Sequence, residues 1–343
     1  MYKSRNISMY FVSFCLLVLL FFSVSTFAFA GKEFISIATG STGGSFYPCG
    51  VVFAHHFDTN LADEGYKFSA HASGGSGENL EMLRNKEVEM AIAGSVPTSN
   101  AYRSVGRYEG NPKLENVRFM TALWPEATQL VYRSDSGIKD LSDFKGRKVV
   151  MGPPNGGGSI YMPFILKALA GLTIDDLKPQ WIGHDDTVQA FQNRMVDAAY
   201  LGSGYPTSSV TQVYANMSRV SVEMLEFTDE QLDTLKKEAP FFTRVIIPKN
   251  TYPNQDRDLK IVGTKSSLIV EKDVDNDIVY KMLEVIYIKD LEKLKGEQSS
   301  LRFLNLSDAL GGLSGAPLHP GAVKFYQDNG IEVPDELIPE EMK

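Results

Sequence analysis

The sequence holds few of the residues that build covalent or metal chemistry. Its 343 residues include two cysteines, five histidines and two tryptophans. Two cysteines exclude a disulfide-stapled scaffold. No Cys-x-x-Cys or His-Glu-x-x-His spacing occurs, so the usual zinc patterns are missing. His55 and His56 are adjacent and point to different helix faces. His71 falls in a strand-like run, and His184 and His319 fall in expected loops. Asp175-Asp176 and Asp185-Asp186 lack the alternating acidic ladder of a calcium loop and read as helix caps. Ser76 and Ser314 are near misses for Gly-x-Ser-x-Gly. No catalytic residue, metal ligand or cofactor is therefore expected. A basic excess is also missing: 34 Lys and Arg stand against 42 Asp and Glu, a net charge of −8. That balance argues against nucleic acid and anionic membrane as partners. The charged fraction of 22% is too low, and the aromatic fraction of 11% too high, for a disordered chain.

Long apolar runs are confined to the N-terminus. Lys3 and Arg5 precede Met9 to Phe22, which is broken only by Ser13, and Ala28-Phe29-Ala30 follows. This is the pattern of a secretory signal peptide, residues 1–30, cut after Ala30. Residues 9–30 are also just long enough for an uncleaved anchor, the competing reading. Cleavage removes Lys3 and Arg5 and no acidic residue, which moves the net charge from −8 to −10. It also leaves Cys49 alone, and a lone thiol in an exported protein fits a small core hydrophobe.

Glycine is plentiful, with 29 residues, and it clusters. Gly40 to Ser45 follows the strand-like Phe34–Ala38 and opens a helical pattern, Phe46 to Phe57. Ser73 to Gly77 follows the strand-like Tyr66–Ala72 and opens a helix over Glu78–Lys86. Gly152 to Ser159 follows the strand-like Lys148–Met151 and opens a helix over Ile160–Ala170. Further strands are expected at Met90–Ala93, Gln180–Gly183, Val196–Leu201 and Val262–Val270. Helices are expected at Asp186–Asn193, at 208–216 and, as one long amphipathic helix, at Asn276–Leu294. Strands and helices alternating in two blocks predict an α/β fold of two lobes with mostly parallel sheets. The first N–H groups of a helix have no partner inside it, and the helix dipole adds positive charge there. Three glycine turns at such junctions predict a shared anion site without Arg or Lys. None carries the Lys-Ser/Thr pair of a phosphate loop or the Gly-x-Gly-x-x-Gly of a dinucleotide site.

Gly40-Ser41-Thr42-Gly43-Gly44-Ser45-Phe46-Tyr47-Pro48 resembles the T-G-G-T-G-G-T-Y-Y-P signature of the TAXI family, the solute-binding receptors of tripartite ATP-independent periplasmic (TRAP) transporters. Ser73 to Asn79, Leu141–Lys148, Gly156–Gly158, Gly204-Tyr205-Pro206 and Pro317 to Ala322 extend the resemblance in order along the chain. The resemblance implies a periplasmic-binding-protein type II fold with hinge strands. Lobe one would hold residues 31–133 and 263–343, the latter with the C-terminal helix, and lobe two 134–262. It implies a periplasmic monomer that captures a small organic anion, glutamate- or glutamine-like or a dicarboxylate. Delivery would be to a TRAP permease. Ligand contacts would come from Thr42, Gly43, Gly44, Ser45 and Tyr47, then from Ser73, Gly74, Gly75, Ser76 and Asn79. Trp124, Asn155, Gly156, Gly157, Gly158, Ser159 and Tyr205 would complete the site. Plainer roles stay open for some: Tyr47 as a helix staple, Trp124 as hinge packing, and Glu126 as a surface charge at the crossover. A receptor for an ATP-driven transporter, or an exported enzyme on the same two lobes, are the alternatives.

Overall fold

The computed structural model describes residues 33–215 and 221–343. The expected signal peptide and its cleavage site lie outside the described residues. The chain begins with β1 (Glu33–Ala38), α1 (Phe46–Asn60), β2 (Tyr66–His71), α2 (Ser76–Arg84), β3 (Met90–Gly94), α3 (Ser95–Arg103) and β4 (Val117–Ala127). It continues through β5 (Leu130–Arg133), β6 (Lys148–Val150), α4 (Gly157–Ala170), β7 (Lys178–Gln180), α5 (His184–Gln192), β8 (Ala198–Tyr200), α6 (Ser208–Ala215) and β9 (Val222–Met224). Then come α7 (Asp229–Glu238), β10 (Thr243–Ile247), β11 (Leu259–Glu271), α8 (Asn276–Glu284), α9 (Leu291–Glu297) and α10 (Pro320–Asp328).

Two sheets result. The first has the order β10-β11-β3-β1-β2, with β4 paired to β11, and the second has the order β7-β6-β8-β5-β9. The strands that precede the glycine turns pair in parallel: β1 with β2, and β6 with both β7 and β8. β11 runs antiparallel to β3, β4 and β10, and β5 antiparallel to β8 and β9. The two-lobe α/β fold is therefore present with mixed rather than mostly parallel sheets. The reason is that β4 and β11 carry the chain between lobes in opposite directions. Their ladder is irregular between Lys265 and Ser267 and between Leu268 and Ile269. Such bulges bend a strand where it changes partners.

Each lobe has its own core. Phe53, Phe57, Phe119, Trp124 and Phe325 are buried in the first, and Phe144, Phe191, Phe227 and Phe242 in the second. β10 and the first half of β11 bond into the first sheet, yet Val245, Ile247, Leu259 and Ile261 pack in the second core. These strands tie the lobes together. Cys49 is free and fully buried, as a small core hydrophobe should be, and burial raises its thiol pKa.

The expected single helix over Asn276–Leu294 is divided. α8 runs into a π turn at Val285–Lys289, and α9 starts afresh after Asp290. Asp290 is buried, lies 2.8 Å from His56 and accepts from Asn60 at 2.6 Å. A buried carboxylate needs such partners, and the helical ladder breaks where it meets them. Among the described residues no helix is long and apolar enough to cross a membrane.

Candidate functional site

The parallel strands β1, β2 and β6 end toward the line where the lobes meet, and each leads into a helix through a glycine turn. The N-caps of α1, α2 and α4 are Ser45, Gly75 and Gly156, and no side chain caps any of them. The turns need glycine for separate reasons. Gly75 has φ 101°, a region that side chains disfavour. A Cβ on Gly158 would stand 1.8 Å from the Met151 carbonyl oxygen.

A cavity of about 60 Å³ lies between these turns. Its wall includes Gly44 and Ser45 from the first turn, Gly74 to Ser76 from the second, and Gly156 to Gly158 from the third. Eight of the seventeen residues expected at the ligand therefore come together here. The other nine take different places. Thr42 Oγ1 and Gly43 N donate to Asp185 Oδ2 at 2.5 and 3.0 Å, so they close the rim instead of lining the cavity. Ser73 Oγ donates to Asn79 Oδ1 at 2.6 Å, and the Asn79 amide donates to the Thr39 and Ile92 carbonyls. That pair holds the second turn from behind. Asn155 and Ser159 accept from the two ends of the Arg107 guanidinium, each at 3.0 Å. Tyr47 is half-buried away from the cavity. Trp124 is wholly buried and packs edge-on against Phe46, with ring centres 6.1 Å apart. Tyr205 meets Phe303 edge-on, with ring centres 5.2 Å apart, lies under the Arg302 guanidinium and lines a different hollow. Aromatic side chains at lobe junctions find ring partners as readily as ligands.

The lobes are in contact across the cavity. Ser45 N donates to Ser203 Oγ at 2.9 Å, Ser203 Oγ donates to Ser45 Oγ at 2.9 Å, and Gly204 N donates to Ser45 Oγ at 3.0 Å. Gly77 N donates to the Asn155 carbonyl at 3.0 Å. Ser41 Oγ and His184 Nδ1 lie 2.9 Å apart. His184 opens α5 rather than sitting in a loop, and desolvation at the seam lowers its pKa.

Three further side chains line the cavity. Glu126, for which a surface charge at the crossover was one open reading, sits on β4 with only 8% of its surface exposed and faces the cavity. Its Oε2 has no hydrogen-bond partner, and burial pushes its carboxyl up to about 8. Tyr161 of α4 and Tyr200 of β8 join it, with buried phenols whose pKa values are also raised by desolvation. The Tyr161 hydroxyl neighbours the Thr264 hydroxyl without a hydrogen bond of good geometry. One signal did exist. Glu126 belongs to the run Val117–Ala127, which is apolar enough to be a buried strand, and a carboxyl in such a strand has no route to bulk water. Among the described residues that line the cavity there is no Lys or Arg.

Two α/β lobes, crossing strands and a cavity enclosed between glycine turns define a two-lobe periplasmic-binding-protein fold. The chain belongs to the NMT1-like family, whose model matches residues 37–330. It is similar to the solved structure of the alkanesulfonate-binding protein SsuA from Xanthomonas axonopodis pv. citri bound to MOPS. The two share 13% identity over 87% of this chain and 91% of that one, with a TM-score of 0.46. The periplasmic aliphatic sulphonate binding protein SsuA from Escherichia coli shares 15% identity over 89% of this chain and 96% of its own, with a TM-score of 0.43. PhnD1 from Prochlorococcus marinus, solved with methylphosphonate, shares 12% identity over 79% and 91%, with a TM-score of 0.49. The family match corrects the expected TAXI membership. The physical reason is that glycine-rich strand-to-helix turns answer a backbone demand, so they suit a two-lobe fold in general and do not single out one receptor family.

Proposed function

We propose that this chain is an exported, periplasmic solute receptor that holds a small organic anion between its lobes and hands it to an ATP-driven membrane transporter. The observation that carries this is the cavity at the seam, walled by the uncapped starts of α1, α2 and α4. Backbone N–H groups and helix dipoles there favour negative charge without a basic side chain. The seam also supplies the conformational device. A few small-residue hydrogen bonds join the lobes, and a ligand that touches both would shift the population toward the closed form. The TRAP permease rested on the TAXI resemblance and goes with it. The ATP-driven transporter is the reading that is left.

An enzyme on the same lobes is favoured by one contact, Ser41 with His184. Asp185, the neighbouring carboxylate, is engaged with Thr42 and Gly43 instead of orienting the ring as a triad acid would. A thermal-shift screen of the mature chain against carboxylates, amino acids, sulfonates and phosphonates tests the proposal. One class should raise the melting temperature, with no product formed on prolonged incubation. No shift with any class, or turnover of the stabilising compound, would overturn it.

A further inference from the structure

Anion capture by backbone amides leaves one group in the cavity without a task. Glu126 is 8% exposed, lines the cavity and keeps Oε2 unpaired. Native chains seldom leave a buried polar atom unanswered, because the desolvation cost stays uncompensated. The Glu126 charge acts on the Cys49 thiol of α1 and on the phenols of Tyr161 and Tyr200. All three are held neutral by burial, and none donates to it. The rings of Phe46, Tyr161 and Tyr200 line the same small space. A carboxyl set among aromatic rings suits a cationic nitrogen, which offers N–H donors and charge to the oxygen and a cation–π partner to the rings.

We propose that Glu126 is the subsite for a protonated nitrogen, so that the ligand is a zwitterion. Its anionic group takes the helix-start amides, and its ammonium takes the Glu126 carboxylate. This rests on the receptor reading above. An ammonium at Glu126 favours the ionised carboxyl, so binding releases a proton, and affinity rises between about pH 6 and pH 8. The competing arrangement, a protonated Glu126 donating to an anionic oxygen, leaves affinity flat up to about pH 8 and lowers it above.

Calorimetry on the mature chain with matched pairs tests the proposal: L-alanine against propionate, L-glutamate against glutarate, taurine against ethanesulfonate, and aminomethylphosphonate against methylphosphonate. In at least one pair the amine-bearing member should bind at least about tenfold tighter. Glu126→Gln should lose that preference while staying folded, with an unfolding midpoint no lower than that of wild type. If the amine-free member binds as tightly, or Glu126→Gln keeps the preference, Glu126 is not the subsite and the receptor reading stands. If no member of any pair binds, both fall. Should Glu126→Gln fail to fold, the wild-type pairs and the sign of the wild-type pH slope decide alone. A flat or falling affinity from about pH 6 to pH 8 overturns the proposal.

Discussion

The cavity has two unlike walls. One is made of glycine turns, where backbone amides and helix starts supply the chemistry and side chains are kept out. The other is made of Glu126, Tyr161 and Tyr200, where buried side chains supply it. The first wall is local. Each turn lies within one strand–turn–helix unit, and its glycines answer demands a few residues away, as Gly158 does with Met151. The second wall is assembled from three distant parts of the chain, β4, α4 and β8. The lesson is that a local backbone site can be written in consecutive residues, whereas a buried acidic corner exists only once the lobes close over it.

The two walls can be broken separately. The largest effect is expected from Gly157→Glu. Its Cβ would stand 3.0 Å from the Tyr200 hydroxyl, and its carboxylate would enter a cavity of about 60 Å³ at a helix start. Binding of an anion should be abolished while the circular dichroism spectrum is retained. Unchanged affinity by calorimetry would remove the glycine wall from the site. Next comes the acidic wall without ligand. The folded Glu126 carboxyl keeps its proton up to about 8, whereas the unfolded chain releases it near the ordinary value of 4.5. The folded state therefore binds more protons between those values. The contribution of Glu126 to stability is greatest below about pH 4.5 and is lost as pH rises toward 8, by about 2–4 kcal/mol. Urea titrations across that range should show the stability of wild type falling relative to Glu126→Gln. Equal slopes would mean that Glu126 is solvated.

Smaller effects come from the seam. Ser45→Ala removes the buried hydroxyl that accepts from Gly204 N and from Ser203 Oγ, and should favour the open form by about 1–3 kcal/mol. A larger radius of gyration in small-angle scattering would report it. Asp185→Asn weakens only the exposed rim contacts to Thr42 and Gly43, and should change closure by less than about 1 kcal/mol. If the rim variant opens the lobes more than Ser45→Ala does, the buried seam is not what holds them together.

Much of the architecture was legible because it depends on local pattern. The strand at Phe34–Ala38, the helix after Gly44 and the three glycine turns all stand within a residue or a few of where the sequence places them. The helical pattern over Asn276–Leu294 was not enough, because Asp290 answers to His56 and Asn60, more than two hundred residues earlier. The site was legible by half. Glycines at helix starts were found, while Asn79, Asn155 and Ser159 turned out to brace the turns from outside. A hydroxyl or amide beside a glycine turn looks the same in sequence whether it faces a ligand or the back of the loop.

By itself the sequence determined where the backbone turns sharply and where helix starts stay uncapped, since these follow from φ, ψ and the missing Cβ of a few neighbouring residues. Only the tertiary structure decided which of those turns share a cavity, that Ser45 meets Ser203 across 158 positions, and that Glu126 is buried without a partner. Those outcomes depend on two lobes packing along crossing strands, and desolvation of a carboxyl is a property of everything that surrounds it rather than of the strand that carries it.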